Sequence, residues 1–135
     1  MAKGHRSQIK KARNEENKDL RPKAHARFVR ISDTKARIVL DQIKGKDVGT
    51  AMAILEYSPR YAAEIIQKVL KSAVANAENN LGMDINRLFV QEVMANQGPT
   101  MRRIRPRARG TAFRIAKKIS HISIILNERI VTKKN

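Results

Sequence analysis

Hydrophobic positions recur along the chain first at helical and then at strand spacing, after one short strand at the start. Ala24 to Ile31 alternates weakly, with Phe28, Val29 and Ile31 interleaved with Arg27 and Arg30, which predicts that strand. Ala36, Val39, Leu40 and Ile43 then fall on one helical face; Ser32 or Asp33 supplies the N-cap and Gly45 ends the run. Asp47 starts a second, short helix with Val48, Ala51 and Leu55 on one side. Ser58 and Pro59 open a third, which continues to about Leu81 and closes at Gly82. Its apolar stripe is Ala62, Ile66, Val69, Ala73 and Ala77, and the small residues late in that stripe let the helix lie close on a sheet.

From Arg87 onward the period is that of strands. Arg87 to Asn96 and Thr111 to Leu126 flank a turn region marked by Gly98, Pro99, Pro106 and Gly110. In the first run Leu88 and Val90 share one face while Val93 and Ala95 share the other, so the buried face changes near Gln91. The second run changes phase too, from Phe113, Ile115 and Ile119 to Ile122, Ile124 and Leu126. A bulge or twist produces such a switch. It implies that the lower part of the hairpin packs on the helices while the upper part faces something else. A strand of about ten residues at roughly 3.4 Å each reaches roughly 35 Å. A body of about a hundred residues has a gyration radius of about 13 Å, so the hairpin stands clear of it. Two strands alone hold their shape poorly in water, and a partner must brace them.

Charge identifies the kind of partner. Lys and Arg total 29 against 12 Asp plus Glu in 135 residues, a net charge of +17 and a pI near 11.0, which favours nucleic acid first and an anionic membrane second. No acidic residue lies between Val93 and Asn127, a span that carries Arg102, Arg103, Arg105, Arg107, Arg109, Arg114, Lys117 and Lys118. So pure a run repels itself unless a polyanion lies against it. Six arginines against two lysines favour structured RNA, because a planar guanidinium both pairs with phosphate and stacks on bases. Aromatic residues are only 4% of the chain, so base stacking in the single-strand manner is minor and the core is aliphatic. Lys35 on the first helix, with Lys71, Asn76 and Asn79 off the stripe of the third, are either solvated surface or RNA contacts of second rank.

Catalysis finds no support. His5, His25 and His121 have no neighbouring cysteine, serine turn or carboxylate pair, and Gly45-Lys46 lacks the rest of a phosphate loop. No catalytic residue, metal ligand or cofactor is assigned; His121 is expected to pack or hydrogen-bond at the base of the hairpin. Cysteine is absent, which removes disulfides and thiolate metal sites. Met1 to Lys23 lacks the apolar stretch of a signal peptide and no segment approaches membrane-spanning length, so a cytosolic protein without membrane insertion is expected. The expected organisation is a basic, disordered extension over 1–21 and an RNA-binding domain over 22–127, with its hairpin at about 87–120. A short basic tail over 128–135 completes it. A DNA-bending architectural protein with a basic β-arm is the competing reading, although no apolar helix face is left over for the dimer such proteins use.

Ala24 to Asn127 resembles the bacterial large-subunit ribosomal protein twenty-two family. The most specific matches are Arg102, then Arg107-Ala108-Arg109-Gly110, then His121-Ile122 leading into Ile124 and Leu126. Val29-Arg30-Ile31-Ser32, Arg37-Ile38-Val39 and the run Lys71 to Asn79 match as well. The resemblance implies an α+β fold: a three-stranded antiparallel sheet packed against three helices, with a long protruding β-hairpin. It also implies a non-catalytic constituent of the cytoplasmic ribosome whose body lies near the peptide exit. Its partners would be large-subunit ribosomal RNA, neighbouring ribosomal proteins, and the nascent polypeptide at the hairpin tip. By position the tip is about Gly98 to Arg109, with Met101, Arg102, Arg103, Ile104 and Arg105 nearest the tunnel. Asp33 stands where the family often has proline, and Thr111 where a longer polar or basic residue is usual.

Overall fold

Apolar stripes from three helices close against one face of a three-stranded sheet, and everything else hangs from that core. The computed structural model describes residues 6–17 and 19–129. In order they form α1 (Arg6–Glu16), β1 (Lys23–Val29), α2 (Asp33–Ile43), α3 (Val48–Tyr57) and α4 (Tyr61–Leu81). Then come β2 (Leu88–Gln97), β3 (Met101–Pro106), β4 (Ala112–Lys117) and β5 (Ser120–Glu128). The body sheet has the order β1-β5-β2, with both pairs antiparallel.

The residues of every expected helical stripe are buried: Ala36, Val39, Leu40 and Ile43 of α2, Val48, Ala51 and Leu55 of α3, and Ala62, Ile66, Val69, Ala73 and Ala77 of α4. They meet Leu88, Val90 and Ala95 of β2 and Ile122, Ile124 and Leu126 of β5. The helix starts depart from expectation. Ser32 holds the cap position of α2, but its hydroxyl bonds the Thr34 hydroxyl at 2.8 Å instead of a backbone N–H. Asp33 is buried in the first turn and faces Arg37 at 3.4 Å. Helix α4 begins at Tyr61 rather than at Ser58, because Ser58 stays extended as the end of α3 and Arg60, which has no acceptor, takes the cap position.

The phase switch in β2 is a bulge at Gln91: Val90 pairs with Leu126 and Glu92 with Ile125, leaving Gln91 as the additional residue. An inserted residue reverses the alternation, so Val93 and Ala95 return to the face of Leu88 and Val90 and pack on the same core. The upper half of β2 therefore faces the helices, contrary to the sequence expectation. Arg21 secures the bulge, donating from Nη1 to Gln91 Oε1 at 3.2 Å and to Glu92 Oε1 at 2.7 Å.

The hairpin is jointed. Strand β2 ends at Gln97 and β5 starts at Ser120, while β3 and β4 form a separate two-stranded ribbon beyond them. The expected tip divides accordingly: Gly98 lies at the joint, Met101 to Arg105 belong to β3, and the chain reverses over 107–111. Gly98 N–H donates to Ile119 O at 2.7 Å, which keeps the two chains paired across the joint. Arg109 and Gly110 take positive φ, 58° and 71°, and make the reversal.

The N-terminal extension, expected to lack structure over 1–21, forms α1 with no buried residue. Its Arg, Lys, Gln, Ala and Glu residues are good helix formers that need no apolar stripe, and Lys11 faces Glu15 one turn on at 4.0 Å. Residues 1–5 and 18 of that extension, and 130–135 of the tail, lie outside the described residues; Glu128 belongs to β5.

Candidate nucleic-acid interface

Register sets what each side of the distal ribbon presents. Met101 pairs with Lys117, Arg103 with Ile115 and Arg105 with Phe113, and these six share one face. Arg102 with Ala116, Ile104 with Arg114 and Pro106 with Ala112 share the other. Both faces thus carry arginine. No residue from Met101 to Lys118 is buried, and Ile104 and Phe113 are 68% and 60% exposed. Among the described residues, no cation of the ribbon or its turn forms an ion pair with a carboxylate. At the turn, Arg107 N–H donates to Thr111 O at 2.8 Å and the Thr111 hydroxyl to Ala108 O at 2.8 Å. Thr111 closes the turn, and Arg107 and Arg109 stand exposed beside it.

The root of the arm is held by His121. Phe28 N–H donates to His121 Nδ1 at 3.0 Å, so the neutral ring carries its proton on Nε2. Phe28 has a φ of 56° because β1 carries one residue more than β5 between Ala26 and Val29. The two rings meet edge to face, 4.8 Å apart at 88°. On the other side of the imidazole lies Gly98, where a Cβ would stand 3.1 Å from both His121 Nε2 and Ile119 O. Arg37 ties α2 to the end of β2, donating from Nε and Nη2 to Ala95 O at 3.2 and 3.0 Å.

The second-rank candidates separate. Lys35 lies in a concavity with Arg30, Arg60 and Tyr61, and an adjoining one brings Arg30 together with Arg103, Lys117 and Lys118. Asn76 instead fastens α4 to the sheet, its Nδ2 donating to Lys23 O at 3.0 Å. Lys71 and Asn79 are exposed farther along α4; at about 1.5 Å per residue, Asn79 is about 27 Å from the helix start. Sequence reasoning passed over Arg30 and Arg60. Their available signal was position, since each basic residue stands just before a helix start.

One carboxylate titrates abnormally. The hydrogen bond from the Arg21 side chain, followed by that from its backbone N–H, lowers the Asp19 pKa to about 2. Asp19 and then Glu92 hold the Arg21 guanidinium well above its ordinary value. His25 Nδ1 and Ser123 Oγ share a hydrogen bond of 2.8 Å, and His5 lies outside the described residues. Among the described residues no three His, Cys, Asp or Glu side chains gather as a metal site, and no helix is long and apolar enough to cross a membrane.

The model of the ribosomal protein L22p/L17e family matches residues 24–127, which take in the three-helix body and the whole basic ribbon of this chain. The chain belongs to this family. The proteins named large ribosomal subunit protein uL22 from Lachnoclostridium phytofermentans and Lachnospira eligens are 59% and 58% identical over 129 residues, covering 96% of this chain and all of each relative. That of Clostridium acetobutylicum is 58% identical over 107 residues, 79% of this chain and 96% of its own. The L22p/L17e family is structural and non-enzymatic, and the whole arm, Met101 to Lys117, falls within the matched span.

Proposed function

We propose that this chain is a structural constituent of the large ribosomal subunit that binds folded ribosomal RNA through its arm, supports assembly, and lines the nascent-peptide exit tunnel with the distal ribbon. The observation that carries the reading is the two-sided charge of that ribbon. A protein resting on one RNA surface needs cations on one face; a ribbon with Arg103 and Arg105 on one face and Arg102 and Arg114 on the other suits insertion between RNA segments. Arg107 and Arg109 at the turn and Lys117 and Lys118 at the root extend the same contact. Exposed Ile104, set among Arg102, Arg103 and Arg105, gives the tunnel-facing part an apolar surface anchored by charge, whereas Met101, paired with Lys117, stands at the root of the ribbon. The nascent polypeptide meets that surface, the body meets neighbouring ribosomal proteins, and the setting is the cytoplasmic ribosome.

The test is a titration of the full chain against a folded large-subunit RNA fragment and a duplex DNA of equal charge, over a range of salt. The RNA should bind more tightly, and Arg107→Ala should flatten the salt slope by about 0.7 to 0.9, the release from one phosphate contact. Equal affinity for both polymers would favour the DNA-bending alternative.

A further inference from the structure

The joint between body and arm is concave, and its charge is one-sided. The two concavities there measure about 580 and 450 Å³ and adjoin at Arg30 and Ser32, which line both, so that together they make a groove along the joint. Its body wall supplies Arg30, Lys35 and Arg60, and its arm wall Arg103 and Lys117, with Lys118 at the bend. No acidic side chain lines either part. Gathering six cations around one hollow opposes folding unless an anion enters it. Helices α2 and α4 both start at this groove, at Ser32 and Arg60, and the acidic residues of their first turns, Asp33 and Glu64, are engaged by Arg37 and Lys68. Tyr61, 69% exposed, stands beside Arg60 at the far end.

We infer that the groove seats a sugar–phosphate backbone segment of RNA, which bridges Arg30 and Arg60 of the body to Arg103 and Lys117 of the arm, with an unstacked base against Tyr61. Three guanidinium forks match phosphate oxygens, the tyrosine offers a stacking surface, and the groove continues into the arm's basic ribbon. The consequence is mechanical: because the ligand touches both walls, it fixes the arm's angle to the body at the root. This inference rests on the RNA-binding reading, and its test separates the two. The probe is a fluorescent sixteen-nucleotide single-stranded RNA. The proteins are the full chain, a groove variant (Arg30→Ala with Arg60→Ala) and a turn variant (Arg107→Ala with Arg109→Ala).

All the substituted groups are exposed, so thermal unfolding should be nearly unchanged in both variants. Each double variant should flatten the salt slope by roughly 1.4. Saturating RNA should slow amide exchange at Gly98 several-fold in wild type and in the turn variant, but not in the groove variant. Tyr61→Phe should keep the affinity that Tyr61→Leu loses. A groove variant with an unchanged slope beside a weakened turn variant would overturn this inference and leave the RNA reading standing. Unchanged slopes in both would overturn both. Displacement of the RNA by an oligoglutamate of equal charge, at equal concentration, would identify a protein partner instead and overturn the proposal.

Discussion

Replacing Gly98 by alanine tests the joint with a single methyl group. The added Cβ would stand 3.1 Å from Ile119 O, 3.1 Å from His121 Nε2 and 3.3 Å from Ile119 Cγ2. The carbonyl cannot retreat freely, because it accepts the Gly98 N–H at 2.7 Å and Ile119 is itself buried. Nor can the imidazole, which holds the Phe28 N–H on its other nitrogen. Overpacking of this kind costs about 1 to 3 kcal/mol. At roughly 4 °C per kcal/mol for a chain of this size, Gly98→Ala should lower Tm by about 4 to 12 °C. Gly49 is the control: it lies in α3, and a Cβ added there would meet nothing within 4 Å, so alanine should raise Tm slightly through helix propensity. Thermal unfolding by circular dichroism reads both, and amide exchange at residue 98 reports whether the Ile119 bond survives. A Gly98→Ala protein that melts at or above wild type would refute the close approach described for the joint.

Two further outcomes follow from the body. Asp19 has a folded pKa of about 2 against an ordinary 3.8, so its contribution to stability is complete above the ordinary value and is lost as pH falls through about 2. Carboxyl NMR should place its midpoint near 2 and Arg21→Ala should return it to the ordinary range; the gap between the two proteins' melting temperatures should narrow toward the acid end of that window. His121→Ala removes the acceptor for Phe28 N–H and the edge-to-face ring contact, and should cost about 1 to 2 kcal/mol by urea unfolding.

The body was legible because its helices announce themselves twice, by apolar spacing and by the residues that end them. Leu40, Ile43, Ile66 and Leu70 have no exposure above 1%, and Gly82 closes α4 with φ 62°. The phase switch near Gln91 was legible as well, but its consequence was not. Alternation alone cannot distinguish a strand that changes face from one that inserts a residue and keeps it. The arm's outline was readable from charge, while its joint was not. Gly98 and Pro99 carry the composition of a turn, yet Gly98 is needed for its small size beside His121 and Ile119. The true reversal uses Arg109 at φ 58°, a conformation that arginine does not advertise. Arg30 and Arg60 escaped notice because their partners in the groove, Arg103 and Lys117, come from the arm, far away in sequence.

The central claim concerns where the end of the arm lies in the assembled ribosome. A photo-crosslinking amino acid placed at Arg109, in the turn, and separately at Tyr57, 87% exposed on the body, measures it directly in ribosomes stalled on a radiolabelled nascent chain. Position 109 should cross-link to large-subunit RNA and to the labelled chain, and position 57 should leave the chain untouched. Ribosomes that incorporate the protein yet show no cross-link from position 109 to either, or a labelled chain captured only at position 57, would contradict the account.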